Sequence, residues 1–376
     1  MSWADPFGCS LSALLIHGAC DRARGISARA NARWGWVTPP AAAGRPIWIA
    51  AGQTRDSVLL GVELTRALRE KRLDIRLVLT FEEEYPDLLA RLDGLPKTGW
   101  GYACCDHPRA LRRIFERLQP LGVIFAGVAP RPNLARACGI RDHVLAVNPP
   151  HNAPRSERVY PVHECTAGSA DNHAAAVDLL CMLVEAQVDP NFKSLVTGNT
   201  RRYLWRLHGG TAGEVGAFAL GFRQLFPEDV LFISAVARLP DIEAKFEQAL
   251  RISAWQRDII GAGTVVWVDE AIWLPAIAAS VNATHFLADD RLALWQAMAV
   301  GGAVSCAHAS ALPKDDFAVS LVVGASIANV LETWRQYREN VILARSRADA
   351  LHRRFWQERR LAAQVADELL QRVFDW

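Results

Sequence analysis

A chain of 376 residues with 51% hydrophobic content is too long for one ordinary core and predicts two domains, each able to bury a sheet. Its formal net charge is only +2, which gives no reason to expect nucleic acid or a strongly acidic partner. Its eight cysteines include no C-x-x-C pair and no zinc-finger spacing, and no apolar run approaches the ~20 residues of a membrane span. Together these features predict buried free thiols in a cytoplasmic protein.

Residues 10–19 read as a short apolar helix. It packs on the first domain or makes shallow contact with a membrane, beside a cluster of Arg22, Arg24, Arg29 and Arg33 that has only Asp21 nearby and is a candidate anionic surface. Residues 45–52 then form an apolar run rich in β-branched and aromatic side chains. It is closed by Gln53-Thr54-Arg55-Asp56 and followed by Val58, Leu59, Val62, Leu64 and Leu68 at helical spacing. This pattern predicts strand, loop and helix, with Asp56 in the loop where parallel sheets concentrate their chemistry. Asp56 has two readings: a general base, or the N-cap of a helix beginning at Ser57.

The alternation continues with strands over 75–80, 99–105, 122–125 and 143–147. Helices over 85–92, 108–118 and 132–138 separate them, the second with Leu111, Ile114, Phe115 and Leu118 on one face. Such spacing predicts a doubly wound parallel sheet. Residues 148–172 turn to Pro, His, Asn, Ser and Gly and read as loop, with a short strand near 159–162 and a helix over 174–185 after it.

The second half opens with Leu195-Val196-Thr197-Gly198-Asn199, and Arg201 follows. Gly209-Gly210-Thr211-Ala212-Gly213-Glu214 leads into a helix reaching about residue 225, and a glycine-rich turn at a helix start offers backbone N–H groups to a phosphate. Strands are expected over 229–236, 264–268, 283–288 and 317–323, with helices over 270–279 and 292–300 between them. A long, mostly helical tail over 327–374 closes the chain. The basic residues from 335 to 372 are interleaved with acidic ones and read as a solvated face.

Several motifs in this order resemble the 3-deoxy-D-manno-octulosonic acid (Kdo) transferases. Ala32-Arg33-Trp34-Gly35 resembles that family's R-x-G element, and residues 47–56 its first strand and catalytic loop, with the family's His as Ala50 and its catalytic Glu falling on Asp56. Gly101 to Asp106 resembles its Y-x-P-x-D turn, Pro132-Asn133-Leu134 the end of its E-T-E-L-W-P-N-L segment, and residues 196–199 its V-T-G-N turn. Gly213 and Glu214 stand in its S-T-H-P-G-E-E turn, Arg238 in its P-R-H-P-E-R segment, and Gln296 at the Glu that holds the nucleotide's ribose.

The resemblance implies an α/β GT-B fold: two Rossmann-like domains facing across a cleft, with a C-terminal helix crossing back to the first. The domains are expected at 1–170 (acceptor side) and 171–340 (donor side), with the tail at 341–376. It further implies inverting transfer of a sugar from a CMP-activated donor to a lipid A precursor or related glycolipid, with no metal and no cofactor, at the inner face of the cytoplasmic membrane. Asp56 would be the base. Asn199, Arg201, Gly209, Gly210, Thr211, Glu214, Arg238 and Gln296 would hold the donor nucleotide, and Arg22, Arg24, Arg29 and Arg33 would face the acceptor or membrane. Arg238 reads equally as a surface residue at a helix start. The changes at Ala50, residues 127–130, Leu239 and Gln296 keep open a second reading, a GT-B scaffold that binds a nucleotide sugar, lipid or protein without transfer. A sugar epimerase on the same fold is a weaker third, since no acid-rich pocket is visible in the sequence.

Overall fold

The computed structural model describes residues 10–36, 44–139, 143–150, 158–161, 176–184, 201–206, 211–234, 252–254, 260–268, 274–286, 291–306 and 326–376. The chain divides into two compact units, Met1–Leu179 with Leu361–Trp376, and Leu180–Arg360.

In the first unit α1 (Leu11–Ala23) and α2 (Ser27–Arg33) precede β1 (Pro46–Ala51), α3 (Arg55–Lys71), β2 (Arg76–Phe81), α4 (Pro86–Leu89) and β3 (Thr98–Tyr102). Then come α5 (Pro108–Leu118), β4 (Gly122–Ala126), α6 (Pro132–Ala137), β5 (Val144–Val147) and β6 (Arg158–Tyr160). The strands form one parallel sheet in the order β3-β2-β1-β4-β5-β6. Every residue of β1, β2, β4 and β5 is buried, as expected of parallel strands covered by helices on both faces. Chain order reverses between β1 and β4, and open α/β sheets bind ligands at the carboxyl ends of strands beside such a reversal.

Local chemistry explains the boundaries of α5. The His107 ring accepts the Arg109 N–H at 3.3 Å, Pro108 supplies a preset φ in the first turn, and Gln119 at φ 44° ends the helix in the left-handed region. The helix expected over 174–185 is not formed. Residues 176–178 lie outside any helix, and only a 3₁₀ segment at Leu179–Leu183 follows. Their backbone donors go elsewhere: Val177 N–H to Pro161 O at 2.7 Å, and Leu179 N–H to Asn148 Oδ1 at 3.2 Å. Asn148 in turn donates to Asp178 at 2.6 Å.

The second unit contains β7 (Arg202–Arg206), α7 (Ala212–Leu225), β8 (Val230–Ser234), β9 (Ile252–Ala254), β10 (Val265–Trp267) and α8 (Leu274–Ser280). It continues with β11 (Ala283–Phe286), α9 (Arg291–Ala299), β12 (Ala303–Cys306), α10 (Ile327–Glu339) and α11 (Val341–Phe374), whose last residues belong to the first unit. The sheet is again parallel, in the order β12-β11-β7-β8-β10-β9. Aromatic rings fill one face: Trp205 stacks on Phe218 at 3.9 Å, and Tyr203 packs against Phe222, Phe226 and Trp334. The strands β7, β9 and β12 were not expected from sequence, and the strand expected over 317–323 lies outside the described residues.

Candidate active site

The carboxyl edge of the first sheet is built around the turn from β1 into α3. The Gly52 N–H donates to Ser57 Oγ at 2.7 Å, and the Ser57 hydroxyl donates to Ala126 O at the end of β4 at 2.5 Å. Glu82 N–H, just past β2, donates to Gly52 O at 3.1 Å. A Cβ at Gly52 would lie 2.3 Å from Val128 Cγ1, so a side chain there would force Val128 to shift. Gly127, at φ 67°, lets the loop after β4 pass against Ser57. One hydroxyl thus ties together the two strands at the chain reversal.

Asp56 does not cap α3. Thr54 is the N-cap, its hydroxyl accepting the Ser57 N–H at 3.3 Å, and the helix starts at Arg55. The reason is backbone conformation: Thr54 has the extended geometry of a cap, φ −79° and ψ 147°, whereas Asp56 already lies inside the helix. Asp56 lies in the first turn, half-buried, where the helix dipole favours a carboxylate.

Acidic and basic side chains surround this turn. Glu82, 8% exposed, pairs with Arg131, which also donates to Cys104 O at 3.0 Å. Tyr102 donates to Glu84, Arg55 pairs with Asp87, and Tyr85 donates to Gln53 O at 2.8 Å. Burial, with Glu83 nearby, raises the Tyr85 phenol above its ordinary value, so it stays a donor. Burial pushes the Cys104 thiol up to about 12, so it is no nucleophile at neutral pH. Asp106 accepts from the N–H groups of Asn133 and Leu134 at 3.0 and 2.8 Å, and Asn133 Nδ2 donates to Asp106 O at 2.7 Å. The two retained motifs, Asp106 and Pro132-Asn133-Leu134, are therefore one structural joint. Sequence reading passed over Glu82 and Arg131, although three consecutive glutamates at the end of a strand are a legible signal.

The arginine cluster divides. Arg29 and Arg33 are buried at 7% and 3% exposure, so they cannot offer a surface to an acceptor or membrane. Arg29 Nε donates to Asp21 at 3.0 Å and its Nη1 pairs with Glu83 at 2.8 Å, while Arg33 Nε donates to Asp21 at 2.5 Å. Burial pushes the Asp21 carboxyl up, but the hydrogen bonds and charges of Arg33 and Arg29 outweigh it and hold the group below the usual range. Arg22 and Arg24 are exposed, with the Arg22 guanidinium 5.9 Å from the Trp36 ring centre. On the same helix Leu11, Leu15 and Ile16 are 44%, 54% and 42% exposed.

In the second unit Thr211 and Glu214 form a capping box at the start of α7. Glu214 Oε2 accepts the Thr211 N–H at 2.8 Å, and Thr211 Oγ1 accepts the Glu214 N–H at 3.3 Å. The Thr211 bonds hold the Glu214 carboxyl below its ordinary value. Arg201 does not join this group: it precedes β7, whereas Thr211 follows it, and a five-residue strand spans roughly 16 Å. Gln296 is 5% exposed, inside α9 rather than at its start. Asn199, Gly209, Gly210 and Arg238 lie outside the described residues. Among the described residues no three His, Cys, Asp or Glu side chains are grouped to hold a metal ion, and no helix is long and apolar enough to cross a membrane.

No family model matches the sequence, and no curated protein matches it. Solved structures do. The UDP-GlcNAc 2-epimerase of Neisseria meningitidis bound to UDP-GlcNAc is similar over 87% of this chain and 100% of its own, at 12% identity and a TM-score of 0.60. A glycosyltransferase from Rickettsia africae covers 89% of this chain and 99% of its own at 11% identity and a TM-score of 0.58. The chain has the GT-B fold. S. aureus MnaA with UDP is a further neighbour, at 9% identity, a TM-score of 0.57, and 81% and 91% coverage. At these identities the likeness establishes the GT-B architecture and leaves the Kdo-transferase resemblance a matter of sequence motifs.

Proposed function

We propose that the protein is a nucleotide-sugar-dependent glycosyltransferase with Asp56 as general base. The observation that carries the reading is the position of Asp56: a half-buried carboxylate in the first turn of α3, where the sheet order reverses between β1 and β4. A base there removes the proton of the acceptor hydroxyl as its oxygen attacks the anomeric carbon and the nucleotide leaves. The leaving phosphate is taken by the second unit, around Gly209 to Glu214 and Arg238, whereas Asn199 precedes β7 as Arg201 does and drops out of the group. Thr211 and Glu214 hold the start of α7 in register, and the N–H groups of Ala212 and Gly213 remain for the phosphate. Gln296 is a ribose contact in this reading, as a neutral hydrogen-bonding partner.

The motif resemblance favours a CMP-activated donor such as CMP-Kdo, and neighbours solved with UDP or UDP-GlcNAc supply the competing uridine case. A glycolipid acceptor of the lipid A precursor type fits the exposed Leu11, Leu15 and Ile16 of α1 beside Arg22 and Arg24, a surface suited to an anionic membrane face. Asp56→Asn tests the reading. Thr54 caps the helix, so the fold is retained, and transfer from CMP- or UDP-sugars should fall at least a hundredfold with nucleotide binding unchanged. Full activity in Asp56→Asn would remove Asp56 from the chemistry. Nucleotide binding without transfer in the parent would favour the non-transferring scaffold.

A further inference from the structure

The second unit contains a cavity of about 480 Å³ that the proposed donor site does not use. It opens at the amino edge of the sheet, beside Arg201 before β7, Asn282 before β11 and Gly301 before β12. The start of α7, with Thr211 and Glu214, lies at the opposite, carboxyl edge. Its other wall is one face of α11: Val341, Ala344, Arg345, Ala348, Asp349 and His352 recur at intervals of three and four. Small residues keep the space open, with Ala283 and Ala303 from the sheet facing Ala344 and Ala348, and a Cβ at Gly301 would meet nothing within 4 Å. The volume is that of a small-molecule site.

The polar groups in it are mostly donors. Asn282 Oδ1 already accepts the Arg202 N–H at 2.8 Å, which leaves the NH₂ of the side chain to donate. His352 Nε2 accepts from Trp356 Nε1 at 3.1 Å, so the neutral ring carries its proton on Nδ1, a buried atom with no protein partner. Two guanidiniums, Arg201 and Arg345, add forked donors suited to carboxylate or phosphate. Among the described residues Asp349 is the one carboxylate of the lining, and it can accept from a hydroxyl.

We propose that this cavity is a binding site for a small hydroxylated organic anion, separate from the donor nucleotide site. The anionic group sits against Arg345 and Arg201 with Asn282 and His352 as further donors, and the hydroxyl-bearing body reaches Asp349. Sugar phosphates and sugar acids share this chemistry. Glucose 6-phosphate and gluconate therefore serve as probes, titrated separately into the full chain by calorimetry.

At least one probe should bind with a Kd of millimolar or lower, and saturating CMP or UDP should not displace it. Arg345→Ala should weaken that binding at least tenfold, and Ala344→Phe, which fills the cavity, should abolish it, with nucleotide affinity unchanged in both. The proposal is overturned if neither probe binds, if Arg345→Ala binds like the parent, or if nucleotide competes with the probe. Absence of nucleotide binding in the parent would count against the transferase reading and leave this site standing.

Discussion

Replacing Ser57 with Ala removes the hydroxyl that joins the end of β1 to the end of β4. The Gly52 N–H loses the acceptor at 2.7 Å, and Ala126 O loses a donor at 2.5 Å, both inside the buried turn. A buried amide left unpaired costs about 1–3 kcal/mol, and the lost hydroxyl-to-carbonyl bond adds about 0.5–1.5 kcal/mol. No compensating packing arises, since Ala only removes an oxygen. The expected loss is therefore about 1.5–4.5 kcal/mol, confined to the first unit. Hydrogen exchange read by mass spectrometry resolves it: peptides spanning Gly52 to Leu60 should exchange on the order of 10- to 1600-fold faster in Ser57→Ala, by the tenfold-per-1.4 kcal/mol conversion. Peptides from β8 and β10 should be unchanged. If the first turn also positions Asp56, transfer should fall while nucleotide affinity holds. Equal protection of the Gly52 peptide in both proteins would refute the view that this hydroxyl holds the turn together.

Three further expectations concern other joints. Asp106→Ala leaves the N–H groups of Asn133 and Leu134 without their acceptor; loss of this helix cap should cost about 1–2 kcal/mol by urea unfolding, and Asp106→Asn should recover part of it. Gly122→Ala would place a methyl 2.4 Å from the Trp376 ring and 2.6 Å from His143 O, so it should destabilise the first unit by about 1–3 kcal/mol and shift Trp376 fluorescence, with Trp376→Ala partly relieving the clash. His285, fully buried with its Nδ1 2.9 Å from Ser305 Oγ, has its pKa pushed down by burial to about 3. The folded state therefore keeps the ring neutral while the unfolded chain takes up a proton below about 6.5, and stability should decline as pH falls from 6.5 towards 3, by about 2 kcal/mol at pH 5. His285→Gln should flatten that decline in the second unit, and an unchanged pH profile would refute the assignment.

The periodicity of apolar residues by itself determined that the chain is two parallel α/β units. Residues 46–51, 122–126 and 230–234 are nearly continuous apolar runs, and only strands covered on both faces can bury them. The bounds of α5 were equally legible, because Pro108 and the residues after Leu118 act locally. Residues whose role depends on partners far along the chain were decided by the tertiary structure. Asp56 and Thr54 are both acceptable caps by composition, and the fold gives the task to Thr54. Arg29 and Arg33 look like surface charge in sequence, yet Asp21 and Glu83 take them into the interior. Residues 174–185 have helical composition, but Pro161 and Asn148 capture the amides of Val177 and Leu179. Arg201 and Thr211 are ten positions apart on paper, and an intervening strand carries them to opposite edges of a sheet. Helical and strand periodicity is set by neighbours within a turn or two. Charge pairing, burial and the edge on which a residue emerges are set by contacts between segments tens of residues apart, which sequence order does not encode locally.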